Sequence, residues 1–211
     1  MSVRGEHDAR CRLKVAASGV LLGLCGLLSA CALPFRAPIS IRLPAGSPSA
    51  EAETADLRMR IVALTDEEAQ LELFRANLRL AGLLPLHLEM TNRGNAAIQL
   101  HRARVEAQDE RGDRLIVRTP ERALRQLLDY YDVTAYRIAS RKELEQAFAA
   151  LAFAFKPALA PGETRRGLLF LALPGEPGPR HLPMALTLTF TSLRRERSSD
   201  AFSLTLRLTI R

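Results

Sequence analysis

The sequence predicts a mainly β protein, an antiparallel β-sandwich with an N-terminal helix and one helical insertion. Several segments alternate apolar and polar residues with a period of two, which is typical of strands that bury one face. Polar turns rich in glycine, asparagine and proline separate these segments. Six to eight strands of this kind must pack face to face to bury their apolar sides, and a sandwich is the result.

The first 30 residues have the layout of an export signal. A basic segment precedes an apolar run over residues 15–28; its cations are Arg4, Arg10, Arg12 and Lys14. The run is shorter than the roughly 20 apolar residues that a membrane-spanning helix needs. We therefore expect a segment that is removed, not a permanent membrane span.

The end of this run, Leu28-Ser29-Ala30-Cys31, resembles the lipobox of bacterial lipoproteins. The resemblance implies cleavage between Ala30 and Cys31 and acylation of the Cys31 thiol, which would anchor the chain in a membrane. The alternative is an ordinary secretory signal cut after Ala30, with Cys31 a bystander.

The cysteine count favours lipidation. Of the three cysteines, Cys11 and Cys25 fall in the removed segment, so Cys31 would be the only thiol of an exported chain. In Gram-negative lipoproteins, Ala32 after the cysteine is typical of the outer-membrane class. The resemblance thus implies a cell-envelope protein, anchored in the outer membrane and facing the periplasm.

Export makes nucleic acid an unlikely partner of this basic chain. The formal net charge is +7, and arginine supplies most of the cations. We interpret this charge as a solvated surface. The alternative is an anionic lipid headgroup or lipopolysaccharide as partner, because arginine forms bidentate contacts with phosphates.

Residues 31–55 are expected to form a tether between the acyl chains and a single domain over residues 56–211. Four prolines in this stretch resist helix formation: Pro34, Pro38, Pro44 and Pro48. After them, residues 57–64 alternate as a strand. A helix is then expected from Thr65, which pairs with Glu68 as a capping box, to Gly82.

Three further alternating runs, residues 83–91, 97–107 and 115–118, predict an antiparallel meander with a bulge near residues 101–102. His87 and His101 would lie on neighbouring strands of it. Two histidines without a third ligand do not make a zinc site, so we expect both to face solvent and to bind no metal.

Residues 121–155 interrupt the β pattern with two helices, 121–131 and 141–155, the second capped by Ser140. This insertion contains all three tyrosines of the chain and several phenylalanines. One interpretation is a ligand or partner surface at Tyr130, Tyr131, Tyr136 and Phe148. The alternative is a cap that covers one open end of the sheets.

Strands resume over residues 165–173, after the turn Pro161-Gly162-Glu163-Thr164. The runs 186–191 and 202–210 then alternate leucine or phenylalanine with threonine, serine or arginine. A polar turn joins them, so they predict the clearest hairpin of the chain.

The order of these elements resembles immunoglobulin-like domains of exported bacterial lipoproteins of unassigned function. The resemblance spans residues 83–211 and rests on a strand ending in Thr91-Asn92, a following strand, and Pro161-Gly162-Glu163 before Gly167-Leu168-Leu169-Phe170. It implies an immunoglobulin-like sandwich without the tryptophan and disulfide of antibody domains.

Catalysis is not expected, because His87, His101 and His181 are the only neutral-pH bases after the signal segment and no Gly-x-Ser-x-Gly or His-Glu-x-x-His spacing occurs. No cofactor is expected either. The sequence favours a lipid-anchored envelope protein whose sandwich binds a protein partner or supports an envelope assembly. The alternative is a lipoprotein that binds an apolar or anionic envelope component through the aromatic insertion.

Overall fold

The computed structural model describes residues 41–132, 138–175, 178 and 181–210. They form nine strands: β1 (Ser49–Glu53), β2 (Leu57–Ala63), β3 (Leu83–Asn92), β4 (Ile98–Gln99), β5 (Arg104–Asp109), β6 (Arg114–Arg118), β7 (Thr164–Ala172), β8 (Ala185–Arg195) and β9 (Ala201–Thr209). Three helices accompany them: α1 (Glu67–Phe74), α2 (Pro120–Tyr130) and α3 (Ile138–Leu151). The expected signal segment, with Ala30 and Cys31, lies outside the described residues.

All named strand pairs are antiparallel, which confirms the mainly β class. The hydrogen-bonded order is β1-β2-β3-β7-β6-β5-β8-β4, and β9 pairs with the other edge of β8. The sheet curls back on itself, because β1 at one end lies beside β9 at the other. The result is nearly barrel-shaped, with an apolar interior.

That interior, here called the main core, takes side chains from both halves of the curled sheet. The predicted inward positions of β2, β3, β8 and β9 are confirmed by their burial: Leu57, Met59, Ile61, Leu84, Leu86, Leu88, Met90, Leu186, Leu188, Phe190, Leu204, Leu206 and Leu208. Alternation with a period of two thus identified the buried face of each of these strands.

The predicted meander is wrong. β3 pairs with β2 and β7, with Leu86 opposite both Ala63 and Leu169, and it pairs with neither β4 nor β5. The reason is that β3 and β7 are apolar on both faces, so each needs a central place in the sheet. Two of the predicted pairings between consecutive strands do occur, in the hairpins β5–β6 and β8–β9.

A second apolar cluster, the cap core, lies on the outer side of β3 and β7. The three helices, together called the helical cap, cover it. Its buried members include Leu64, Phe74, Leu78, Leu83, Leu124, Leu127, Leu144, Phe148, Leu151, Leu168 and Phe170. In the described part of the chain, none of the helices is long and apolar enough to cross a bilayer.

The helix boundaries differ from those expected. Asp66, not Thr65, caps α1 by accepting a hydrogen bond from the Ala69 amide at 2.7 Å. The helix ends at Arg75, which has φ of 55°, and not at Gly82. Beyond it, the Asn77 carboxamide accepts from the Arg79 amide at 3.0 Å, which replaces helical bonding with a local turn. α3 begins at Ile138, so Ser140 lies within the helix and is not its cap.

Two other differences concern the β elements. The expected bulge near residues 101–102 is a turn between β4 and β5, and a register shift occurs instead in β8, between Phe190 and Leu193. β1 lies inside the stretch expected to be a tether, and pairs with β2 from Ser49 opposite Val62 onwards. The folded part therefore extends N-terminal to residue 56.

Gly167 marks the place where the chain returns from α3 to the sheet. The Phe153 amide donates to the Leu168 carbonyl at 2.9 Å, which brings this segment across β7. A Cβ atom on Gly167 would lie 2.4 Å from the Phe153 Cα atom. Only glycine allows so close an approach of the two backbones.

We predict that Gly167→Ala lowers the free energy of unfolding by about 3 kcal/mol, because backbone atoms must move apart to admit the methyl group. Gly112→Ala is the matched control, since Gly112 has open space around its Cα atom and only a left-handed φ of 86°. The control should cost about 1 kcal/mol. Urea unfolding measures both, and equal losses would contradict the close approach at Phe153.

Candidate functional site

The helical cap contains the aromatic residues expected to form a surface. They differ in how far they are buried. Phe148 on α3 is fully buried. Its ring lies 6.0 Å from that of Phe170 on β7 and 6.1 Å from that of Phe74 on α1. Phe148 therefore connects α1, α3 and β7 within the cap core. It contributes nothing to an exposed surface.

Tyr130 and Tyr131 lie at the end of α2 and remain accessible. Their rings meet edge to face with centroids 4.9 Å apart. Tyr131 is 36% exposed. The Tyr131 hydroxyl accepts from the Asn77 amide and donates to the Asn77 carbonyl, both at 3.2 Å. Partial burial raises the pKa of this phenol. Tyr136 lies outside the described residues.

Polar side chains fasten the cap to the backbone on either side of α1. Gln126 on α2 donates to the Ala81 carbonyl at 2.8 Å, and the buried Gln70 on α1 donates to the Leu64 carbonyl at 2.6 Å. A buried amide that satisfies a backbone carbonyl is costly to displace. Together with the filled cap core, these bonds hold the helical cap against the outer face of β3 and β7.

Among the described residues of the cap, the exposed large apolar side chains are Leu71 on α1, 48% exposed, and Tyr131. Leu71 stands at helical spacing from Phe74 and Leu78, a pattern that by itself predicts a buried side chain. Because α1 is only eight residues long and ends at Arg75, the buried side is formed by Gln70, Leu73 and Phe74 instead. A sequence signal for an exposed Leu71 does not exist, since it depends on where the helix ends.

A groove of about 250 Å³ separates α1 from the first described residues of the chain. Arg42, Leu43 and Pro44 form one wall, and Asp66, Glu68, Ala69, Glu72 and Leu73 form the other. Asp66 is engaged as a helix cap and the neighbouring Glu67 forms an ion pair with Arg79. The acidic run at residues 66–68 thus serves capping and pairing.

The two candidate zinc histidines are not neighbours, because β3 pairs with neither β4 nor the turn that follows it. His101 is exposed in that turn. His87 is only 5% exposed, so the expectation of a solvent-facing side chain is wrong for it. Among the described residues, no three His, Cys, Asp or Glu side chains come together as a metal site.

His87 is buried on β3, a central strand of the sheet. In register it stands between Val62 on β2 and Leu168 on β7. Burial lowers the pKa of the imidazole; Glu89 opposes this shift, while Arg166 and Arg60 add to it. The position suits a neutral imidazole at the border between apolar cap core and charged sheet surface.

We predict that stability falls on acidification through His87. The unfolded chain binds the proton more tightly than the folded one, so the contribution is complete above about pH 6.5 and is lost as the pH falls towards the folded pKa. His87→Leu should show a smaller drop in the free energy of unfolding between pH 7 and pH 5. Denaturant titrations at several pH values measure this.

His101→Leu is the control for this series, because His101 is exposed. Its pH profile should follow that of the unchanged chain. A His87→Leu profile that is parallel to that of the unchanged chain over the same range would refute the assignment.

Comparisons with known proteins assign no family. No protein-family model matches the chain, and no curated protein matches it. Among solved structures, a crystal structure of a DUF4426 family protein from Pseudomonas aeruginosa PAO1 is similar, at 11% identity. The match covers 77% of this chain and 96% of that one, with a TM-score of 0.29. A likeness at this level identifies neither fold nor activity.

Proposed function

We propose that the chain is a lipid-anchored protein of the cell envelope, whose non-catalytic β domain binds a protein partner through the helical cap. One observation carries the proposal: the first described residues after Cys31 lie against the helical cap. Ile41 and Leu43 pack on the cap core, and the same cap exposes Leu71 and Tyr131. Exposed apolar side chains beside a polar surface are typical of protein contacts.

The distance to the membrane supports this proposal. Nine residues separate Cys31 from Ile41, and a fully extended chain of that length spans about 35 Å. An anchor on Cys31 therefore keeps the cap within reach of other proteins at the same membrane surface. Ala32 after the cysteine favours the outer membrane, facing the periplasm, for a Gram-negative source.

The hydrogen bonds of the buried polar side chains support a non-catalytic role. Asn92 donates to the carbonyls of Ala96 and Leu159, both at 2.9 Å, and accepts from the Gly94 amide. Gln70 and Asn77 likewise bind backbone groups. These side chains shape loops, and none of them is held ready beside a nucleophile.

We further infer an immunoglobulin-like sandwich. Strands β2-β3-β7-β6 form one half of the curled sheet and β5-β8-β9 the other. This order corresponds to strands A-B-E-D and C-F-G of the constant-type domain. β1 would be an added edge strand, and α2 and α3 would replace the short connection between strands D and E. The continuous pairing of β6 with both β5 and β7 is a departure from two separate sheets.

The anchor is tested by Cys31→Ala. We expect the mature, acylated form to be lost from the membrane fraction and unprocessed chain to accumulate, because acylation precedes cleavage in the lipoprotein pathway. Fractionation followed by immunoblotting measures both. Cys25→Ala, in the segment before the cleavage position, is the control and should stay membrane-bound; a membrane-bound, normally processed Cys31→Ala would refute the anchor.

The partner surface is tested by photocrosslinking. A benzoylphenylalanine at position 71 should give a discrete crosslinked protein in membranes of the native cells, because Leu71 is the most exposed large apolar side chain of the cap. The same group at position 58, on an exposed charged sheet surface, should not give it. The same product at both positions, or none at position 71, would contradict binding through the cap.

A further inference from the structure

The two outer surfaces of the curled sheet differ in how their charges are balanced. On the outer side of β1, β2, β3 and β7, four residues lie in one cross-strand row: Glu51, Arg60, Glu89 and Arg166. Arg166 pairs with Glu89 at 2.5 Å, and Glu51 pairs with Arg58 at 2.7 Å and with Arg60 at 3.4 Å. We call this the charged face; its cations are neutralised by its own carboxylates.

The outer side of β5, β8 and β9 has another composition. Most of the alternate residues of β8 and β9 that point away from the main core carry hydroxyls: Thr187, Thr189, Thr191, Ser203, Thr205 and Thr209. No helix of the cap core packs on them, and all are half-buried or exposed. This surface, bordered by Arg104 on β5 and Arg207 on β9, is called the threonine face.

Most hydroxyls of the threonine face are available to a ligand. Thr189 and Thr205 share one hydrogen bond, with their oxygens 3.2 Å apart. Thr187, Thr191 and Ser203 make no side-chain hydrogen bond to any part of the chain that the structure describes. A hydroxyl both donates and accepts, so each can exchange a pair of hydrogen bonds with another hydroxyl.

The arginines of this face are not neutralised in the same way. Arg104 and Arg207 form no ion pair within the described residues. Arg114, at the end of the Thr187 row, is 3.8 Å from Glu106, which is the carboxylate of this face. The threonine face therefore carries a surplus of positive charge, unlike the charged face.

The spacing of the two unpaired arginines indicates the size of the ligand. Arg207 stands opposite Thr187 and Arg104 opposite Thr191, on the two strands that flank β8. Four residues along a strand and two strand spacings across it separate their Cα atoms by about 17 Å. One small anion cannot contact both, whereas a polymer with repeated anionic groups can.

We propose that the threonine face binds an anionic polysaccharide, a sugar polymer that carries carboxylates or phosphates. Its sugar hydroxyls would exchange hydrogen bonds with the row of threonines. Its carboxylates or phosphates would accept bidentate hydrogen bonds from the arginine guanidinium groups. A protein partner fits less well, because the face has no aromatic anchor to bury. The inference goes beyond the proposed function and does not depend on the lipid anchor, because it concerns the folded domain.

The test measures binding of the full chain, in detergent, by isothermal titration calorimetry. The probes are polygalacturonate, which carries carboxylates, phosphomannan, which carries phosphates, and dextran, which is neutral. We expect at least one of the two anionic polymers to bind and dextran not to bind. The polymer that binds more tightly identifies the source of the anion, and binding by neither overturns the proposal.

Substitutions then locate the site. Arg104→Gln with Arg207→Gln should weaken binding at least tenfold, since two charge-assisted contacts are lost. Thr187→Val with Thr189→Val, which keeps side-chain shape and strand preference, should weaken it several-fold. Arg60→Gln on the charged face is the matched control and should change the Kd less than twofold.

Two results would overturn the proposal even if the polymer binds. An equal loss with Arg60→Gln would mean that binding follows net charge and not this face. An unchanged Kd for the double threonine variant, together with equal binding of single-stranded DNA, would mean that sugar hydroxyls are not recognised. Circular dichroism and urea unfolding of each variant separate loss of binding from loss of fold.

Discussion

Strands β3 and β7 pair from Leu83 opposite Ala172 to Thr91 opposite Thr164, and both carry apolar side chains on two sides. Their inner residues enter the main core and their outer ones, such as Leu168 and Phe170, enter the cap core. A strand pair of this kind is unstable unless both sides are covered. The curled sheet covers one side and the helical cap covers the other, so the cap is a structural necessity as well as a surface.

The return of the chain from the cap to the sheet is fixed at several points. Arg165 on β7 donates to the carbonyls of Ala154, Pro157 and Ala158 and pairs with Glu163. Leu159 exchanges backbone hydrogen bonds with Ile98, and Gly167 admits the backbone of Phe153. Among the described residues, these contacts hold the C-terminal end of the insertion firmly against the sheet.

The sequence predicted what depends on neighbours along the chain. The period of two found the strands and their buried faces, and the β8–β9 hairpin followed because a short polar turn joins two matched runs. The partner of β3 did not follow, since Thr91 and Thr164 meet across 73 residues. The burial of His87 and Phe148 was missed for the same reason: their neighbours Leu168 and Phe74, respectively, come from distant parts of the chain.

The same limit explains why the two outer sheet surfaces look alike in sequence and differ in the structure. Each strand shows only alternation of apolar and polar residues, and a single strand does not reveal whether an arginine will stand opposite a glutamate. The register supplies that: Arg60 meets Glu51 and Glu89, whereas Arg207 meets Thr187. Because the main core lies between the two halves of the sheet, the cap and the threonine face point in opposite directions. A protein that binds the cap, as we propose, would therefore leave the threonine face open to a polymer on the other side.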